Sequence, residues 1–67
     1  MIISDFTNIE LDYLRRACNF VNNEKDLFEL RSQGLSLEEV AEVLDLSVEG
    51  IKKISRKVNR KIEKVMF

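Results

Sequence analysis

Residues 30–58 read LRSQGLSLEEVAEVLDLSVEGIKKISRKV, and this stretch determines the fold that we expect. Ser36 is followed by Glu39 at the spacing of a capping box, which marks a helix N-terminus. The apolar residues that follow recur at helical spacing, and Ser47 then offers another N-cap. The pattern predicts a short helix over 36–44, a tight turn, and a longer helix that begins at Ser47.

An extra helix is predicted before this stretch. Thr7 and Glu10 have capping-box spacing, and apolar residues recur at helical intervals after them, which predicts a helix over 7–21. The apolar arc of this helix is broad, so we expect other helices to cover it. Tyr13 and Cys18 are therefore predicted to lie in the core.

The next helix is predicted over 23–33. Asn22 and Asn23 interrupt the preceding apolar pattern and offer an N-cap. Gly34 follows the last apolar turn, at the position where a left-handed backbone favours glycine. The segment 1–6 is too short for a domain and is predicted to be an N-terminal arm.

The last helix is predicted over 47–65, and one apolar stripe runs along it. Two interpretations of the stripe are open: it belongs to the core, or it forms the seam of a homodimer through the C-terminal helix. The end of this helix, residues 62–67, is expected to project and to be available to a partner. The stripe consists of Ile51, Ile54, Val58, Ile62 and Val65.

Composition fits a single all-α domain over residues 1–67, with a tri-helical core and one additional helix. Proline is absent, and there are only two glycines. The chain has one cysteine and no histidine, which excludes an internal disulfide, the usual Cys/His zinc sites and Ser–His–Asp catalysis. We expect no cofactor, no metal, no catalytic residues and no membrane association, because no apolar run approaches a membrane span.

Charge is distributed very unevenly along the chain. From residue 50 to residue 67 there are seven Lys and Arg side chains and one acidic side chain, a net charge of +6. Residues 1–49 hold four basic and eleven acidic groups, a net charge of −7. A positive end on a predicted helix indicates an anionic partner such as nucleic acid.

The stretch 30–58 also resembles the helix-turn-helix of LuxR/GerE-type regulators and of region 4 of sigma-70-type sigma factors. In such a motif the first helix crosses the DNA backbone and the second enters the major groove. Asp45 stands where glycine is frequent in these families, and Gly50 where LuxR-type proteins usually have threonine. The matching positions are Gly34, Ser36, Glu39, Val40, Ala41, Leu44, Leu46, Ser47, Gly50, Ile51 and Lys52.

The resemblance implies which side chains face DNA. Base-edge positions correspond to Lys52, Lys53 and Arg56, whose side-chain type suits guanine O6 and N7. The remaining positions lie at the start of the helix or near the phosphates. Those near the phosphates are Ser47, Lys57 and Arg60, and those at the start of the helix are Glu49 and Gly50.

Two functions are consistent with these observations. The first is a small DNA-binding transcriptional regulator, located in the cytoplasm, that binds double-stranded DNA and gains affinity as a homodimer. The second is a protein-interaction module that resembles sigma region 4 and binds RNA polymerase or another transcription protein, such as a sigma factor, without sequence-specific DNA binding. An enzyme is not expected, because no pair of titratable residues has the spacing of a catalytic site.

Overall fold

The computed structural model describes residues 2–67, and this part of the chain is all-helical. The elements are a 3₁₀ turn at Ile3–Asp5, α1 at Asn8–Ala17, α2 at Asn23–Ser32, α3 at Leu37–Leu44 and α4 at Val48–Met66. The expected all-α fold is confirmed. Met1, part of the predicted arm, lies outside the described residues.

Capping boxes set the first residues of α1 and α3. The backbone N–H of Glu10 donates to Thr7 Oγ1 (3.2 Å), and the Thr7 N–H donates to the Glu10 carboxylate (2.8 Å). Ser36 and Glu39 repeat the arrangement at 3.2 and 2.9 Å. Both boxes appear at the positions that the sequence predicts.

Helix α4 forms one wall of the core along its whole length. Its 19 residues extend about 28 Å at 1.5 Å per residue, close to the longest dimension of the molecule, 29 Å. It packs against α1, α2 and α3. The largest side chains with no solvent exposure are Phe28, Leu14, Leu27, Ile51, Ile62, Val40 and Val58.

The apolar stripe of α4 therefore belongs to the core. Ile51, Val58 and Ile62 are fully buried, while Ile54 and Val65 pack against the buried cluster. The expectation that residues 62–67 project is wrong for most of this segment, because Ile62 is buried and Val65 and Met66 pack against the same cluster. Phe67, which follows α4, is 87% exposed, and a homodimer through the C-terminal helix stays a prediction.

Helix α1 is shorter than predicted. It ends at Ala17 rather than at residue 21. One long-range contact and one local contact hold the following segment in another conformation. Lys61 Nζ donates to the Asn19 carbonyl oxygen (2.6 Å), and the Val21 N–H donates to Oε1 of the nearby Glu24 (3.3 Å). The apolar periodicity of the sequence continues past Ala17, but tertiary contacts determine where the helix ends.

Only one side of α1 is covered. Leu11, Leu14 and Cys18 are buried, which confirms the prediction for Cys18. The prediction for Tyr13 is wrong, since Tyr13 is 49% exposed and Ile9 is 83% exposed. No other helix of residues 2–67 lies over that side.

An ion pair joins α1 to α2. Arg15 Nε donates to Glu29 Oε2 (2.6 Å) and Nη2 donates to Oε1 (2.9 Å), a two-bond arrangement. The guanidinium also lies 5.9 Å from the centre of the Phe28 ring. Such paired contacts orient a short helix that buries few side chains of its own.

Three residues with positive φ form the sharp changes of chain direction. Gly34 has φ +95°, at the predicted end of α2. Asp45 has φ +55° and ends α3. Asn22 has φ +50° and is the N-cap residue of α2, at the predicted position. Its side chain makes no capping hydrogen bond, so the backbone N–H groups at this end are not capped by that side chain.

Candidate nucleic-acid interface

Helix α4 displays a row of cationic side chains on the side opposite the core. Six Lys and Arg residues are exposed, and at roughly 100° per residue they occupy an arc of about 140°. The row covers about 18 Å from its first to its last residue. We call this surface the cationic face: Lys52, Lys53, Arg56, Lys57, Arg60 and Lys64.

The cationic face is free of ion pairs to other parts of residues 2–67. The salt bridges of that region use Arg15, Arg16 and Lys61 on their basic side. None of the six side chains of the cationic face is among them. Their positive charge is therefore directed to solvent and can act on an external anion.

Lys61 has a different role from its basic neighbours on α4. Its Nζ donates to Glu24 Oε1 at 2.5 Å and to the Asn19 carbonyl oxygen at 2.6 Å. The hydrogen bond from Lys61 is the main reason why the pKa of Glu24 lies below the ordinary glutamate value. Lys61 therefore fixes the loop after α1 to α4, and sequence reasoning missed this contact because its residues lie far apart in the chain.

The turn from α3 to α4 fixes the direction of the cationic face. Asp45 adopts the left-handed conformation, and the Leu46 N–H donates to the Ala41 carbonyl oxygen (2.9 Å). Ser47 Oγ then accepts the Gly50 N–H (3.1 Å) and caps α4. With Leu46 packed against the core, these contacts define where α4 begins.

The predicted residues at the start of α4 are brought together there. Ser47 and Glu49 are exposed, and Gly50 is half-buried. A Cβ atom at Gly50 would lie 3.2 Å from Ser47 Oγ, so glycine leaves room for the cap. Val48, which sequence reasoning did not select, is 38% exposed and lies beside these residues.

Helix α3 carries exposed acidic side chains, whose charge is opposite to that of the cationic face. Glu38, Glu39 and Glu42 are exposed. The Ser36 N–H that Glu39 accepts is the main cause of a lowered pKa for the Glu39 carboxyl group, so this group remains ionised. An anionic partner is therefore attracted by α4 and repelled by the exposed side of α3, which restricts how it can approach.

The chemistry available on α4 is recognition of anions and of hydrogen-bond acceptors. Guanidinium and ammonium groups donate to phosphate oxygens and to guanine O6 and N7. Within residues 2–67, no group of three or more Cys, Asp or Glu side chains converges as metal ligands would. In the same part of the chain, no helix combines the length and apolar character needed to cross a membrane.

Comparison with protein-family models, with characterised proteins and with solved structures finds no match to this chain.

Proposed function

We propose that this chain is a small transcriptional regulator that binds double-stranded DNA through a helix-turn-helix formed by α3 and α4. The observation that carries the proposal is the cationic face, six exposed side chains on one helix that form no ion pair within residues 2–67. No acid lies between Lys52 and Arg60 on that helix. A helix fits the B-DNA major groove, which is about 12 Å wide.

The resemblance of residues 30–58 to LuxR/GerE-type and sigma region 4 helices supports the same function. In this proposal Lys52, Lys53 and Arg56 read base edges, while Lys57 and Arg60 bind phosphates. Ser47, Glu49 and Gly50 lie where α4 enters the groove. DNA binding of this kind goes with a cytoplasmic location.

Affinity is expected to come mainly from phosphate contacts. A monomer of this size makes about 4–6 such contacts, so its binding is weak and strongly dependent on salt. A two-fold symmetric site bound by two copies would raise the affinity.

The test is fluorescence anisotropy with duplexes selected from a random pool. The double variant Lys52→Ala/Arg56→Ala should weaken binding to the selected duplex at least about 30-fold, since each base contact is worth about 1–3 kcal/mol. The control is Lys25→Glu on α2, an exposed position, because it changes the net charge by the same amount. Equal losses in both proteins, or none in the double variant, would contradict the proposal.

An exposed apolar pair favours a second candidate function, binding to RNA polymerase or a sigma factor. Val43 is 59% and Val48 is 38% exposed. Exposed acids accompany them in sequence, namely Glu42, Asp45 and Glu49. A protein surface that offers both apolar and basic side chains would complement these exposed residues.

Val43→Asp separates the two functions. Under the second candidate, the variant loses binding to purified RNA polymerase while its duplex affinity stays unchanged. If the wild-type protein binds polymerase but binds no duplex at low salt, the first proposed function is wrong and the second is favoured.

A further inference from the structure

Helix α1 carries a row of apolar side chains on its uncovered side. Ile9 is 83% exposed, Tyr13 is 49% exposed, and Ala17 is exposed as well. They are spaced four residues apart, so they lie in one line along the helix. An apolar row of this kind, which no other helix of residues 2–67 covers, indicates a contact surface.

The sizes of these side chains fit an antiparallel copy of the same helix. If a two-fold axis passes near Tyr13, Ile9 of one copy lies opposite Ala17 of the other. The small alanine side chain then leaves room for the larger isoleucine. The same contact occurs twice, as a two-fold interface requires.

The charges beside the row are complementary in the same arrangement. Asp12 and Arg16 lie on one flank of the row, and they pair with each other at 2.9 Å. Two antiparallel copies bring like flanks together, so Asp12 of each copy comes next to Arg16 of the other. These two attractive contacts outnumber the single repulsive contact between the two Asp12 side chains beside the axis. Their side chains are 58% and 78% exposed and can reach a second molecule.

A parallel pair lacks this complementarity. It would bring the opposite flanks together, and the other flank carries Glu10. Glu10 would then lie near Asp12 of the second copy, and like charges repel. The charge pattern therefore selects the antiparallel arrangement.

We propose that the exposed row of α1 binds a second copy of this chain, antiparallel about a two-fold axis near Tyr13. The proposal does not depend on DNA binding. The helix has 10 residues and is about 15 Å long. The interface is thus smaller than the roughly 1,200 Å² of stable complexes, and we expect a dissociation constant between about 10 µM and 1 mM.

Sedimentation equilibrium without DNA tests the surface. Ile9→Asp should weaken self-association at least about 30-fold, because each dimer contains the substitution twice. Val43→Asp introduces the same charge at another exposed apolar position and should leave association unchanged. A wild-type protein that is monomeric at about 1 mM, or equal association of wild type and Ile9→Asp, would overturn the proposal.

Disulfide trapping tests the orientation. Ile9→Cys and Ala17→Cys proteins, both carrying Cys18→Ala to remove the natural thiol, are mixed and oxidised after circular dichroism has verified their folding. Antiparallel pairing predicts cross-links between positions 9 and 17. Cross-links that join position 9 to position 9 would overturn the orientation, and a random distribution would overturn the interface.

Charge reversal gives an independent test of orientation. Asp12→Arg alone should weaken association about 10-fold, since it places two like charges in each of two contacts. The double variant Asp12→Arg/Arg16→Asp should restore it. Failure of the double variant to recover would contradict the antiparallel charge pairing.

Discussion

At the scale of single residues, the start of α3 is set by two side chains that can be identified in the sequence. Ser36 accepts the Glu39 N–H, and Glu39 accepts the Ser36 N–H. These bonds satisfy backbone donors that a helix N-terminus would otherwise leave without a partner. The start of α3 thus follows from local chemistry.

Ser36→Ala should lower the free energy of unfolding by about 1 kcal/mol, because the cap to Glu39 is lost. Urea denaturation followed by circular dichroism measures this change. Ser36→Thr keeps a hydroxyl acceptor and should remain within about 0.5 kcal/mol of wild type. Equal midpoints for the alanine variant and wild type would exclude the capping role.

Gly34→Ala should also destabilise the protein by about 1 kcal/mol. A Cβ atom there meets no heavy atom within 4 Å, so the cost comes from the backbone at φ +95° and not from a clash. Gly34→Asn should fall between glycine and alanine, since asparagine tolerates positive φ better. In thermal melts, the melting temperature should be highest for the wild-type protein with Gly34, lower for Gly34→Asn and lowest for Gly34→Ala.

The caps and turns that sequence reasoning predicted correctly are those whose conformation depends on near neighbours. The caps at Thr7 and Ser36 and the positive φ at Gly34 depend on residues within one helical turn. The prediction that Tyr13 is buried was wrong, because the burial of this side chain depends on whether another helix lies over it. The periodicity of α1 contains no information about that.

At the scale of elements, α4 is held in place by its core stripe and by the contact between Lys61 and Glu24. The Glu24 side chain is 11% exposed and that of Lys61 is 33% exposed, so solvent screens this ion pair only partly. It connects α4 to the start of α2. The contact also removes one cation from the surface that we assign to DNA.

The contact predicts a dependence of stability on acid pH. The folded-state pKa of Glu24 lies below the ordinary value of 4.5, mainly because of the hydrogen bond from Lys61. As the pH falls through 4.5, Glu24 becomes protonated in the unfolded chain but stays ionised in the folded protein. The free energy of unfolding therefore falls. The contribution of Glu24 is fully present above that value and is lost as the pH falls through the folded pKa.

Glu24→Gln should therefore be about 1 kcal/mol less stable than wild type at pH 7. The difference should shrink as the pH is lowered towards about 3. Glu42→Gln, an exposed acid on α3, should show little difference at either pH. A pH-independent gap for Glu24→Gln in urea titrations would exclude the electrostatic explanation.

The ends of a helix could be predicted where residues next to them in the sequence determine them. They could not be predicted where contacts with distant parts of the chain determine them. Helices α2, α3 and α4 lie within two residues of the expected bounds. Helix α1 stops early because Lys61 and Glu24 hold the segment after it. The bond from Lys61 to Asn19 joins residues 42 positions apart, so it leaves no periodic signal in the sequence.

At the scale of the whole molecule, the separation of charge along the sequence becomes a separation in space. Residues 50–67 carry a net charge of +6, and most of it is exposed on one side of α4. The exposed side of α3 is acidic. The sequence predicted the cationic row through helical periodicity, but it could not predict that Lys61 is paired.

Duplex binding should depend steeply on salt. With about 4–6 phosphate contacts, the logarithm of the association constant should fall with a slope of roughly −4 to −5 against the logarithm of salt concentration. Lys57→Ala/Arg60→Ala should reduce the size of this slope by about 1–2, because two phosphate contacts are lost. An unchanged slope would remove both side chains from the interface.

The most direct measurement of the central claim is an NMR titration of the ¹⁵N-labelled protein with a selected DNA duplex. If α4 enters the major groove, the largest amide shift changes should fall on residues 47–60, and the amides of α1 should change little. Changes centred on α1 and α2, or no changes at low salt, would contradict the assignment of the cationic face to DNA.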